Sequence, residues 1–70
     1  MAAGLGVRLK DIRTQAGLTQ AELAERVGVS RKTINTVENG VFVPSTILAL
    51  KLAEVLNTRV EDLFFLEQDR

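Results

Sequence analysis

The seventy residues contain no cysteine and no histidine. The first absence excludes disulfides and thiolate metal sites. The second excludes imidazole catalysis and imidazole metal ligation. Tyrosine and tryptophan are missing as well, and three phenylalanines are the only aromatic residues. Nor is there an excess of either charge: nine Lys and Arg face nine Asp and Glu. The bulk basic character of many nucleic-acid binders is therefore absent, and any such role must rest on local charge. With no imidazole, no thiol and no clustered carboxylate pair, an enzyme reading fails, and neither a cofactor nor a metal is expected. The start lacks a basic segment ahead of an apolar run, and the apolar run Ile47–Leu50 falls far below the ~18 residues of a membrane span. The expectation is a soluble, cytoplasmic protein with no membrane part.

Hydrophobic residues make up 46% of the chain, which excludes a disordered tail. The length allows one domain. A chain this small buries only ~60% of the surface it exposes when unfolded, so a partner or a second copy would add to a thin margin. The expected layout is a flexible, Gly-bearing start over residues 1–6, one domain over 7–66, and an acidic tail over 67–70.

Gly17, Gly28, Gly40 and Pro44 separate apolar-periodic segments, a pattern of short helices with tight joints. No stretch alternates with period two for long, so an all-α fold of five short helices is predicted and a sheet is not. The first helix runs from about Val7 to Ala16, with Leu9, Ile12, Arg13 and Ala16 on one face. Thr19-Gln-Ala-Glu22 has the capping-box pattern and opens the second helix, whose inner face is Leu23, Ala24 and Val27. Ser30 caps the third, with Ile34 and Val37 inward and Asn39-Gly40 closing it through left-handed formers. Ser45 caps a fourth helix running to about Leu56. Thr58-Arg-Val-Glu61 repeats the box and opens a fifth, holding Val60, Leu63 and Phe64.

The second and third helices are joined by almost nothing. Taking Gln20 as the first position, Ala24 is fifth, Gly28 ninth and Ile34 fifteenth. Ala24 must be small where the next helix crosses it, and Gly28 must turn where a Cβ would clash. Ile34 and Val37 lock the third helix onto the second. This is the geometry of a helix-turn-helix, whose second helix projects from the domain.

On a helix with 100° per residue, Arg31, Lys32, Asn35, Thr36 and Asn39 fall within an arc of about 140°. Every one of them can hydrogen-bond, and no acid interrupts the arc. Arg bridges guanine O6 and N7, and Asn bridges adenine N6 and N7. Lys takes guanine or a phosphate, and Thr offers a hydroxyl or a methyl. By itself such a face is also what an ordinary solvated helix presents. Gln20 begins the second helix, where free N–H groups and the dipole favour a phosphate, unless it is only a structural first-turn residue.

The segment Leu18-Thr-Gln-Ala-Glu-Leu-Ala-Glu-Arg-Val-Gly-Val-Ser-Arg-Lys-Thr-Ile-Asn-Thr-Val-Glu-Asn-Gly40 closely resembles the phage repressor and Cro family of helix-turn-helix regulators. Arg8-Leu-Lys-Asp-Ile-Arg13, the Pro44-Ser45 joint and Val60-Glu-Asp-Leu-Phe64 extend the resemblance over roughly residues 7 to 65. It implies a lambda-repressor-like domain that binds double-stranded DNA in the major groove. Ser30, Arg31, Lys32 and Thr36 would face base edges, and Asn35 joins them from its place in the arc. Gln20 would contact a phosphate, with the backbone around Asn39 and Gly40 as a second clamp. Arg13 and Glu38 would form a buried ion pair between the first and third helices; two solvated charges are the alternative. Val41 departs from the family, which often has a basic residue there, and Ile47 stands where relatives are usually polar.

Residues 1–60 hold eight Lys and Arg against five Asp and Glu, while residues 61–70 hold one against four. The acidic end should face away from DNA. Few phosphate contacts per subunit argue for a homodimer on a palindromic operator, acting as a transcriptional repressor. Ile47, Leu50, Phe65 and Leu66 are the candidate dimer surface, although Phe65 could instead fold back over the core. Some relatives pair a short C-terminal strand with the N-terminus, a strand that Gly4 and Gly6 disfavour here. The alternative function is an antitoxin or other protein-interaction module that uses the same apolar surface on a protein partner.

Overall fold

The computed structural model describes residues 4–67. Strand β1 (Gly4–Val7) is followed by helices α1 (Leu9–Gln15), α2 (Gln20–Val27), α3 (Arg31–Glu38), α4 (Thr46–Val55) and α5 (Val60–Leu63). Strand β2 (Phe64–Glu67) ends the described chain. Each helix contributes apolar side chains to one centre. Leu9, Leu23, Ile34, Val37, Leu52 and Leu63 are all fully buried there, each worth roughly 1.5–3 kcal/mol relative to exposure.

The caps form where the hydroxyl residues stand. Thr19 Oγ1 accepts from the Glu22 N–H at 3.0 Å, and a Glu22 carboxylate oxygen accepts from the Thr19 N–H at 2.8 Å. Ser30 and Ser45 cap α3 and α4 in the same way, each from its hydroxyl oxygen to the N–H three residues on. The box expected at Thr58–Glu61 is displaced by one residue. The Asp62 carboxylate accepts from the Arg59 N–H and the Thr58 hydroxyl, while Glu61 pairs with Arg59 on the surface.

Between α2 and α3 the chain turns in three residues, Gly28 to Ser30. Gly28 has φ +78, and a Cβ built on it would meet nothing within 4 Å. The expected clash is therefore not the reason for glycine here; the left-handed backbone is. Asn39, expected to be left-handed, has φ −86, and only Gly40 beyond it turns the chain with φ +73.

The all-α expectation needs correction, because β1 and β2 pair antiparallel with Leu5 opposite Leu66, Gly6 opposite Phe65 and Val7 opposite Phe64. Phe64 thus opens a strand rather than closing a helix. Gly4 to Gly6, read in the sequence as part of a loose start, lie in the sheet; residues 1–3 of that start and 68–70 of the expected acidic tail lie outside the described residues. Gly6 permits the pairing it was expected to oppose. The Phe65 ring lies over it so closely that a Cβ there would sit 2.2 Å from ring atoms. The Arg8 guanidinium also stacks on this ring, 4.0 Å from its centroid. The ladder continues into the helices through the Arg8 N–H, which donates to the Leu63 carbonyl at 2.8 Å.

Candidate nucleic-acid interface

Helix α3 is anchored by Ile34 and Val37, both fully buried. That anchoring fixes which side faces out. Arg31, Lys32, Asn35 and Asn39 are exposed and Thr36 is half-buried. Ser30 stands at the N-cap, its oxygen already accepting from the Thr33 N–H at 3.1 Å.

The only acid of α3, Glu38, is withdrawn from this face. Arg13 Nε donates to Glu38 Oε2 at 2.6 Å and Nη2 to Oε1 at 3.3 Å, while Nη1 donates to the Leu18 carbonyl at 2.8 Å. The Glu38 side chain is 2% exposed. The outward face is left with the charges of Arg31 and Lys32 and no carboxylate against them.

The Gln20 side chain is engaged within the protein. Its Nε2 donates to Glu38 Oε1 at 2.9 Å and to Asn35 Oδ1 at 3.2 Å, and its Oε1 accepts from Arg31 Nη1 at 3.4 Å. The side chain therefore ties α2 to Arg31, Asn35 and Glu38 of α3, with both amide hydrogens engaged. What remains for a phosphate is the backbone, since the Gln20 and Ala21 N–H groups open α2 and have no carbonyl within the helix. Glu22, beside them, is held below the ordinary carboxylate value, first by the Thr19 N–H and then by the Thr19 hydroxyl.

The second clamp, expected from the backbone around Asn39 and Gly40, lacks free donors. The Asn39 N–H donates to the Asn35 carbonyl and the Gly40 N–H to that of Val37. The Asn39 carboxamide donates to Asn35 Oδ1 at 3.4 Å and keeps its second hydrogen. Asn35 Oδ1 accepts from both Gln20 and Asn39, which leaves Nδ2 as the donor of that carboxamide.

The four residues expected at a dimer surface separate into two groups. Ile47, Leu50 and Leu66 are 68%, 57% and 67% exposed. Leu50 lines an apolar groove with Leu5, Val43, Pro44 and Phe64. Leu66 lies opposite Leu5 on the sheet and so shares its face. Phe65 points to the other face, over Gly6. In the loop Val41–Val43 the sequence reading singled out Val41 alone, yet all three side chains are exposed large hydrophobics. Its signal was an apolar run with no helical period, immediately after the motif.

Among the described residues no helix is long and apolar enough to cross a membrane, and no group of three or more metal-ligating side chains occurs. The family model described as helix-turn-helix matches residues 9–63. An uncharacterised HTH-type transcriptional regulator from Archaeoglobus fulgidus is 47% identical over 62 residues, covering 89% of each chain. One from Methanothermobacter thermautotrophicus is 48% identical over 62 residues, covering 87% of this chain and 90% of its own. Among solved structures, the restriction-modification controller protein C.AhdI from Aeromonas hydrophila superposes with a TM-score of 0.74. It is 36% identical, over 79% of this chain and 83% of its own.

Proposed function

We propose, from the premise that this chain belongs to the helix-turn-helix family of DNA-binding transcriptional regulators, that it binds a palindromic operator as a homodimer and represses transcription by occupying it. The observation that carries this reading is the outward face of α3. Arg31, Lys32, Asn35 and Thr36 share it, and the helix's one acid is neutralised behind it by Arg13. Such a face enters a major groove with its cationic and amide groups on base edges. Arg31 suits guanine O6 and N7, and the Asn35 Nδ2 suits an acceptor. The first N–H groups of α2 take a phosphate on the groove wall. Asn39 takes a second phosphate through its carboxamide.

Two copies joined through Ile47, Leu50, Leu5 and Leu66 would bury the exposed apolar face of α4 and the sheet. They would set two recognition helices one helical turn, ~34 Å, apart. The restriction-modification controller protein C.AhdI gives a regulatory precedent on the same fold.

Selection of the purified protein against random duplexes of ~30 bp, with Arg31→Ala/Thr36→Ala in parallel, tests the reading. An enriched palindrome that the variant loses or alters supports it. No enrichment at low salt overturns it, and leaves the α4 surface as a site for a protein partner.

A further inference from the structure

We propose that Val41 and Phe42 read the C5-methyl group of a thymine at the edge of each half-site, an inference that rests on the DNA-binding reading above. Both residues are unusually apolar for their place: Val41 is 77% exposed and Phe42 46%. They are not a loose loop. Their N–H groups both donate to the Thr36 carbonyl, at 3.0 and 3.2 Å, which fixes them to the last turn of the recognition helix. With Lys32 and Thr36 they line one concave surface, so the apolar wall is continuous with the base-facing residues.

Thr36 adds to that wall. Its hydroxyl donates back to the Thr33 carbonyl at 3.0 Å. Its proton is thereby committed, and it offers DNA its methyl group and lone pairs. Thymine's methyl is the one apolar feature that a base edge presents in the major groove. A protein occupant is disfavoured, because it would cover Lys32 and Thr36, the same residues that DNA must meet.

The test uses the selected operator with each thymidine replaced in turn by deoxyuridine, which keeps its pairing and its O4 and lacks only the methyl. Wild-type protein should lose roughly fourfold in affinity per methyl at one position of each half-site. Val41→Ser and Phe42→Ala should each shrink that difference between the thymidine and deoxyuridine duplexes. The proposal is overturned if no position is sensitive, if the half-site contains no thymine, or if the sensitive position is equally sensitive in both variants. Failure to select any operator is a separate result, which overturns the DNA reading itself and this inference with it.

Discussion

Arg13 and Glu38, 25 residues apart in the chain, meet with Nε 2.6 Å from Oε2, and the contact both holds α1 to α3 and clears the outward face of α3 of negative charge. All three guanidinium nitrogens are engaged, two by Glu38 and one by the Leu18 carbonyl. Removing either partner strands a buried charge. Glu38→Ala should therefore cost about 3–5 kcal/mol in urea denaturation, a large share of the ~5–15 kcal/mol typical of a folded domain. Arg13→Met/Glu38→Leu, which removes both charges, should cost less than either single change. A loss near zero for Glu38→Ala would mean that the charges are solvated.

Substitutions at Gln20 and Arg31 test the DNA-binding reading in two different ways. Arg31→Ala should relax specificity at one base pair by ~1–3 kcal/mol. Gln20→Ala removes the carboxamide that steadies Arg31 and Asn35 but leaves the backbone N–H groups of α2. Operator preference should weaken while the slope of binding against salt stays unchanged. Were the Gln20 side chain itself a phosphate ligand, affinity would instead fall evenly across sequences.

The α2 cap predicts a pH dependence. Glu22 has its carboxyl pKa lowered from 4.5 by the Thr19 N–H and hydroxyl. A depressed folded-state pKa contributes stability that is present above the unfolded value and lost as pH falls through the folded one. Glu22→Gln keeps the acceptor and loses the charge. Wild type should melt above Glu22→Gln at neutral pH, with the gap closing as pH is taken below 4.5. Glu61, whose pKa is also lowered, is present in both proteins and cancels. A gap that does not change with pH would remove the carboxylate from the account.

Leu50 tests the assembly. It is 57% exposed at the edge of an apolar groove shared with Leu5 and Phe64. Leu50→Glu places a charge on that face without disturbing the core. Sedimentation should show a monomer, and affinity for a full palindrome should fall towards that for a single half-site. An unchanged dimer would move the interface elsewhere.

The helix-turn-helix was legible because its signals are local. The cap at Thr19, the left-handed turn at Gly28 and the inward positions of Ile34 and Val37 can all be read within a few residues of one another. The sheet was not legible for the opposite reason. Each strand is four residues long, too short for alternation to stand out, and its partner lies at the other end of the sequence. Gly6 reads locally as a strand breaker, and only the ring of Phe65 explains it. The role of Gln20 was half visible. Its position at the start of α2 indicated a polar contact, but the sequence could not show that Asn35, Arg31 and Glu38 converge on its carboxamide.

The contact between Gly6 and Phe65 makes a quantitative prediction. Gly6 is in extended backbone rather than a left-handed turn, so alanine fits its dihedral angles and by itself would stabilise by reducing the freedom of the unfolded chain. The ring stands in the way, since a Cβ would lie 2.2 Å from it. Accommodation requires the Phe65 ring to leave its place against Arg8 or the strands to part. Gly6→Ala should therefore destabilise by about 1–3 kcal/mol. In a Phe65→Ala background the same change should become neutral or favourable, because the obstruction is gone. The difference between the two backgrounds, measured by chemical denaturation of the four proteins, is the coupling energy of the pair. Additive effects would mean that the ring is not seated on the glycine and that the strands pair without it.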